Sequence, residues 1–345
     1  SEIEKKLEKE NIYIINEKQV TKDQEIFIHD YFIQKVSPAV VTIMLNDLEE
    51  FPLLKDTSGY LAIKLVMNSE TSQKEVRYAV IEIPHTINRF VVLPSNSEKQ
   101  YIILLDDVIR LNLNSIFNIF DYESISANMI KITRDAQLEF DSDLSKSLIE
   151  KISSSVKERR VGEPVRFVYD TEIEKDTLNF FLNKMDIDAT DSIIPGGRYH
   201  NRRDYMAFPN LGRFDLLYQP KVPLPVEELS LDGSILSKIA KKDYLVNTPY
   251  QSYSYLIKFL REAALDPKVT AIKITLYRLA KNSQIISSLI NAAKNGKKVT
   301  VQIELQARFD EESNISYSEQ MQTEGIELIF GVKGLKVHSK ICVIE

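Results

Sequence analysis

The sequence predicts two architectures in succession, an α+β part followed by an α/β part with a mixed, largely parallel sheet. In the first part, the alternating runs 60–67, 76–83 and 90–93 are typical of strands separated by prolines and polar loops. Beyond residue 226, strands and helices alternate, as in a sheet built from right-handed crossovers. Two prolines within residues 223–225 indicate a stiff linker between the two parts. We therefore predict a domain over 11–220, a linker at 221–226 and a second domain over 227–345.

The elements of the first domain follow in order from periodicity and from proline positions. After a charged helical lead-in at residues 1–10, the pattern predicts an antiparallel sheet with helices. The remaining predicted elements are a helix at 23–36 that ends before Pro38, a helix at 106–116, a strand at 127–135, an amphipathic helix at 143–160 and a strand at 164–169.

The second domain has a regular pattern of elements. The predicted elements are helices at 250–264, 284–294 and 311–323, and strands at 269–277, 297–305 and 326–330. The run 334–343 is predicted to be a further strand.

The composition indicates an ordinary globular protein. The chain is 43% hydrophobic and 27% charged, values typical of a globular protein, and no apolar stretch approaches the roughly 20 residues of a membrane-spanning helix. The charged first residues lack the apolar core of a signal peptide, so we expect a cytoplasmic protein.

The only cysteine, Cys342, excludes an internal disulfide, and we expect it to fill space in the packing. The net charge of −6 means that any phosphate site must be local.

The run 334–343 contains the strongest candidate for chemistry. Lys336, His338 and Lys340 are two residues apart, so in a strand they project from one face, with Val337 and Ile341 on the other. Strict alternation places Cys342 on the face of His338. Neighbouring cations disfavour a charged imidazole ring, which keeps it neutral and nucleophilic. The alternative is a surface strand with a solvated basic edge.

Arg308 marks a second candidate position. The run 301–308 alternates apolar and polar residues and leads into the acidic residues 310–312. Arg308 is therefore predicted at the carboxyl end of a strand, where open α/β sheets bind ligands.

The loop around Gly196 and Gly197 is rich in cations. Two adjacent glycines let the main chain approach a ligand closely, and guanidinium groups bind phosphate oxygens in pairs. The candidate contact residues are Arg198, His200, Arg202 and Arg203. The alternative is a salt-bridged interface loop.

Several strings together resemble the long-chain polyphosphate kinase family, whose catalytic half is similar to phospholipase D. Residues 305–315 read LQARFDEESNI and residues 334–340 read GLKVHSK. The strings EPVRFVY at 163–169, PGGRYHN at 195–201 and AIKITLYR at 271–278 extend the resemblance over nearly the whole chain. The fold class implied is an α+β middle domain followed by an α/β phospholipase-D-like domain.

The resemblance implies a mechanism of phosphoryl transfer and a role for each site residue. His338 would accept the γ-phosphoryl group of ATP and pass it to inorganic polyphosphate or back to ADP, while Lys340 would stabilise the transferred oxygens. Arg278 and Arg308 match the family's phosphate and magnesium site; as cations they would clamp phosphates close to Mg²⁺ rather than ligate the metal. The phospholipase D pattern also implies an acid at the position of Glu345.

The resemblance further implies that this chain is the middle piece of a longer enzyme. An amino-terminal helical domain would precede it, and a second phospholipase-D-like half would follow it. The full-length enzyme is expected to be a homo-oligomer, a dimer or tetramer, with ATP, ADP and polyphosphate as partners, no nucleic acid, and a possible peripheral association with membranes. Two alternatives remain: a phospholipase-D-like phosphodiesterase completed by dimerisation, and a non-catalytic polyphosphate-binding module.

Overall fold

The structure is a computed structural model that divides into two compact units, one within residues 1–218 and one from Gln219 to Glu345. It describes residues 2–56, 58–68, 75–95, 97–134, 164–188, 192–200, 202–305, 307, 310–331 and 337–345. The predicted helix at 143–160 lies outside the described residues. In the described part of the chain, no helix is both long enough and apolar enough to cross a bilayer.

The first unit contains two sheets. Its strands are β1 (Ile12–Ile15), β2 (Val41–Met44), β3 (Tyr60–Met67), β4 (Val76–Glu82), β5 (Phe90–Leu93), β6 (Gln100–Leu104), β7 (Tyr122–Arg134), β8 (Pro164–Asp170) and β9 (Ser192–Gly196). The larger sheet has the order β2-β4-β3-β7-β8-β9, and the smaller has the order β1-β6-β5. Its helices are α1 (Glu2–Lys9), α2 (Lys22–Tyr31), α3 (Leu105–Leu111), α4 (Leu113–Ile116) and α5 (Lys175–Lys184).

Strand β3 explains why the first unit has a core on each side of its larger sheet. Leu61, Ile63 and Leu65 point to one core, which they share with residues of α2 and α3. Tyr60 and Ala62 point to the other core, which α5 covers. Alternation of side chains along a strand produces this division, and burial on both faces fixes the strand register.

The α+β prediction for this unit is confirmed, with corrections to its sheets. The predicted antiparallel arrangement holds for β3 and β4, but β5 lies in the smaller sheet, where it pairs antiparallel with β6. The pairs of β1 with β6 and of β8 with β9, which the prediction did not include, are parallel. Strands β1 and β2 are too short, at four residues each, to show a clear periodicity. The sequence of β9 contains a proline and a glycine, which predict a loop; the strand tolerates them because it lies at the edge of its sheet.

The second unit is an α/β domain. Its helices are α6 (Ile235–Ile239), α7 (Ser254–Leu265), α8 (Gln284–Lys294) and α9 (Glu311–Thr323), and its strands are β10 (Ala271–Leu276), β11 (Lys298–Ile303), β12 (Glu327–Phe330) and β13 (Cys342–Ile344). The sheet order is β12-β11-β10-β13, with the first three strands parallel and β13 antiparallel to β10. The predicted mixed, largely parallel sheet is therefore confirmed.

The predicted strand at 334–343 is wrong at residues 337–341, and its residues 334–336 lie outside the described residues. In the structure, residues 337–341 are not in a strand, and β13 begins only at Cys342. Cys342 and Ile344 pack against the core of the sheet, whereas Ile341 and Val343 are exposed. A three-residue edge strand is fixed by its few pairs with β10, which a sequence pattern alone does not reveal.

Candidate functional site

The topology of the second unit brings the segment 337–341 to the carboxyl end of the parallel strands. Strands β10 and β11 run side by side to Leu276 and Ile303. Because β13 is antiparallel to β10 and pairs Cys342 with Ile274, the residues before Cys342 extend toward the residues that follow β10. This edge is the usual ligand-binding edge of an open α/β sheet.

Tyr277 lies immediately after β10 and contacts both predicted catalytic residues. Its ring and the His338 imidazole meet edge to face, with centroids 5.4 Å apart and planes at 76°. The Lys340 ammonium lies 4.8 Å from the centroid of the Tyr277 ring. Lys340 Nζ also donates a hydrogen bond to the His338 carbonyl oxygen, at 2.5 Å. His338 and Lys340 are both exposed, so the structure places an accessible imidazole beside an ammonium group.

Arg278, the residue after Tyr277, also lies close to the Tyr277 ring. Its guanidinium carbon is 5.7 Å from the Tyr277 centroid, and its Nε is 3.2 Å from Asp310 Oδ2. More than half of the Arg278 side chain is exposed. Arg308 and Lys336 lie outside the described residues, so their placement in this site stays a prediction.

Asn314, on α9, ties the ends of the two central strands together. It is fully buried, and its Nδ2 donates to the carbonyl oxygens of Tyr277, at 2.8 Å, and of Glu304, at 2.9 Å. Sequence reasoning missed both Asn314 and Tyr277. The available signal was their position inside the strings that carry the family resemblance.

Cys342 and Glu345 have local structural partners. Burial raises the pKa of the Cys342 thiol to about 11, which supports the packing role and argues against a nucleophile. Glu345 Oε1 accepts a hydrogen bond from Lys273 Nζ at 2.5 Å, in an ion pair that is half-exposed.

In the first unit, the described loop residues Arg198 and His200 are bound to the body of the unit. Arg198 Nη2 lies 2.5 Å from Glu17 Oε2 and 2.9 Å from Asp107 Oδ1, so for this residue the salt-bridged alternative describes the structure. His200 is only 8% exposed, and burial lowers the pKa of its imidazole. A Cβ atom at Gly196 would lie 2.5 Å from His200 Cε1, so this glycine permits the close packing.

The other two arginines of the loop are Arg202 and Arg203. Arg203 is exposed, and the side chain of Arg202 lies outside the described residues. A polyphosphate contact by this loop stays a prediction.

The donor set does not form a metal cage in the described part of the chain. No three His, Cys, Asp or Glu side chains in that part lie close enough together to hold an ion. The site has instead an imidazole, an ammonium and a guanidinium that is paired with Asp310, a set suited to anionic oxygens.

Comparisons with known proteins match each of the two units to a family model. The family model described as polyphosphate kinase middle domain matches residues 23–208, and the model described as polyphosphate kinase C-terminal domain 1 matches residues 234–345. The chain therefore belongs to the polyphosphate kinase family.

Individual relatives agree with the family assignment. The chain is 40% identical to a polyphosphate kinase of Vibrio vulnificus (strain YJ016), an alignment that covers 100% of this chain and 49% of that protein. It is also 40% identical to a polyphosphate kinase of Escherichia coli (strain K12), over 97% of this chain and 49% of that protein. The crystal structure of polyphosphate kinase from Porphyromonas gingivalis matches with a TM-score of 0.78 at 30% identity, over 99% of this chain and 49% of that one. The chain thus spans about half the length of these relatives.

Proposed function

We propose that this chain forms the middle domain and the first phospholipase-D-like catalytic domain of a polyphosphate kinase, with His338 as the phosphorylated residue. The observation that carries the proposal is the exposed His338 imidazole beside Lys340 and Tyr277 at the carboxyl end of β10. An accessible imidazole has the nucleophilic nitrogen that this chemistry needs, and the neighbouring cations favour an anionic substrate.

The reaction follows from this arrangement. An imidazole nitrogen of His338 attacks the γ-phosphorus of ATP, the bond to the β,γ-bridging oxygen breaks, and ADP leaves with the electron pair. The Lys340 ammonium, held on the face of Tyr277, neutralises charge on the transferred oxygens. The terminal oxygen of a polyphosphate chain, or of ADP in the reverse direction, then takes the phosphoryl group from His338.

Magnesium would enter this site with the nucleotide. Mg²⁺ prefers oxygen ligands and commonly binds through one or two carboxylates together with substrate phosphates. Asp310 is a carboxylate at this edge of the sheet, next to Arg278. Arg278 and Arg308 are cations and would contact phosphate oxygens beside the ion. The ion's chemical contribution would be to neutralise the charge of the phosphates.

The rest of the proposal concerns the whole enzyme. We assign residues 11–220 to the middle domain, 221–226 to the linker and 227–345 to the first catalytic domain, with Arg203 of the loop at 196–203 as an exposed candidate for polyphosphate contact. The whole enzyme would be a cytoplasmic homo-oligomer that acts on ATP, ADP and polyphosphate.

Labelling with γ-labelled ATP and Mg²⁺ tests the proposal. The chain is expected to acquire an acid-labile, base-stable label, and His338→Ala is expected to lose it completely. His85→Ala is the matched control, since His85 is also an exposed histidine outside regular structure. Equal label in His338→Ala and the unaltered chain would refute the assignment of His338. Binding of polyphosphate by an unlabelled chain would favour the non-catalytic binding module, and cleavage of phosphodiesters without label would favour the phosphodiesterase.

A further inference from the structure

The segment that carries His338 is held by side chains on both sides of this residue, although it lies outside any strand. Before His338 in the sequence, Glu304 Oε2 accepts a hydrogen bond from the Val337 backbone N–H at 2.9 Å. After His338, the Thr275 hydroxyl donates to the Ser339 carbonyl oxygen at 2.6 Å and accepts from the Ile341 N–H at 2.8 Å. Thr275 and Glu304 therefore hold the chain within one to three residues of His338.

The position of Thr275 explains this double contact. The regular pairing of β10 with β13 ends at Ile274 and Cys342, and one further backbone bond runs from Thr275 N–H to the Ile341 carbonyl oxygen at 2.9 Å. Beyond that point the segment leaves the ladder, and its exposed N–H and C=O groups pair with side chains or with water. A hydroxyl is both donor and acceptor, so Thr275 pairs with two of these groups through one side chain.

We infer that the Thr275 hydroxyl is a positioning residue for His338: it fixes the segment 339–341 against β10 and so sets where the imidazole stands. The inference rests on the proposed role of His338 as the phosphorylated residue. A nucleophile must stand close to in-line with the phosphorus, and misplacement by about 1 Å can cost about 100-fold in rate. Tyr277 and Lys340 adjust the surroundings of the ring, whereas Thr275 fixes the backbone that carries it.

A pair of substitutions at Thr275 tests the inference. Thr275→Val keeps the shape of the side chain and removes the hydroxyl, whereas Thr275→Ser keeps the hydroxyl. With γ-labelled ATP and Mg²⁺, Thr275→Val is expected to slow the first-order step of label formation by about 10- to 100-fold, with little change in the ATP concentration that gives half-maximal rate. Thr275→Ser is expected to stay within about 3-fold of the unaltered chain.

Amide hydrogen exchange gives a second readout that needs no chemistry. Exchange at residues 339–341 should be faster in Thr275→Val than in the unaltered chain and unchanged in Thr275→Ser, while exchange in β11 stays the same in all three. Unchanged exchange in Thr275→Val would overturn the inference. Faster exchange with an unchanged labelling rate would show that the contact is structural only, and would also overturn it.

The two readouts separate this inference from the proposed function. If the unaltered chain acquires no label, the proposed function fails for this chain. The exchange difference between Thr275→Val and Thr275→Ser then still decides whether the hydroxyl holds the segment of His338.

Discussion

Tyr277 carries no charge, and its aromatic ring is suited to a phosphate site. A carboxylate at its position would pair with Lys340 and Arg278 and reduce their attraction for phosphate. An aromatic face attracts cations through its quadrupole and leaves their net charge intact. With the Lys340 ammonium at 4.8 Å and the Arg278 guanidinium at 5.7 Å from its centroid, Tyr277 can orient two cations without neutralising them, and Arg278 is also paired with Asp310.

Replacement of Tyr277 tests this role at the level of one side chain. Tyr277→Leu removes the aromatic face, and two cation–π contacts of about 0.5–1 kcal/mol each correspond to a loss of about 5- to 30-fold in the rate of His338 labelling. Tyr277→Phe keeps the ring and is expected to label within about 2-fold of the unaltered chain. The measurement is the initial rate of label formation at saturating ATP. Equal loss in both variants would mean that the hydroxyl, and not the ring, carries the effect.

At the residue scale, the sequence predicted part of the site and missed the rest for a physical reason. His338 and Lys340 were predicted because charged side chains at regular spacing are visible in one short segment, and Arg278 was predicted from the family resemblance. Tyr277 and Asn314 have roles that arise only when segments far apart in the chain meet. A half-buried tyrosine after a strand and an asparagine in a helix both look like ordinary packing residues in sequence.

At the scale of elements, helices and strands with a clear period were predicted nearly residue for residue. Helix α8 has the predicted bounds because its apolar residues recur along one face, and helix α9 and strand β3 also have the predicted bounds. The short strands β1, β9 and β13 do not contain enough residues for a period. They are fixed by the partner strands they pair with, which no local pattern encodes.

Helix α3 illustrates an element whose stability depends on buried charge. Asp107 is fully buried and accepts from Arg110 Nη1 at 2.6 Å, from Arg198 Nη2 at 2.9 Å and from the Tyr199 hydroxyl at 2.5 Å. One carboxylate thus links its own helix to the loop that follows β9. A buried charge is tolerated only while its partners are present.

Removal of this charge should destabilise the first unit. Asp107→Asn leaves Arg110 and Arg198 without their shared anion and is expected to lower the free energy of unfolding by about 3–5 kcal/mol. Asp215→Asn is the matched control, because it breaks an ion pair with Arg213 at the surface and should leave stability unchanged within error. Urea denaturation followed by circular dichroism measures both. A loss in Asp107→Asn no greater than that of the control would contradict the structural role of this carboxylate.

At the scale of the whole molecule, charge is the property that the sequence predicted most usefully. A chain of net charge −6 and pI about 5.5 repels a polyanion on average, so the proposed substrate must be attracted by a local group of cations. The structure shows such a group in the second unit, where Lys340 and Arg278 both lie close to the Tyr277 ring. The sequence could not show that these two cations meet at one ring.

Two substitutions that change the net charge equally show whether polyphosphate is attracted by Arg278 itself or by the overall charge of the chain. Arg278→Gln and Lys6→Gln each lower the net charge from −6 to −7, but Lys6 lies exposed on α1, where its ion pair is with Glu2. Arg278→Gln is expected to weaken polyphosphate binding by about 10-fold at 50 mM NaCl, since a phosphate contact of the charged type contributes about 1.5–3 kcal/mol before screening. Lys6→Gln should bind polyphosphate as the unaltered chain does.

At 1 M NaCl the screening length falls to about 3 Å, and the difference in polyphosphate binding between the two variants should shrink. Equal weakening by both substitutions, measured by fluorescence anisotropy of labelled polyphosphate, would show that overall charge governs binding, and would remove Arg278 from the proposed phosphate site.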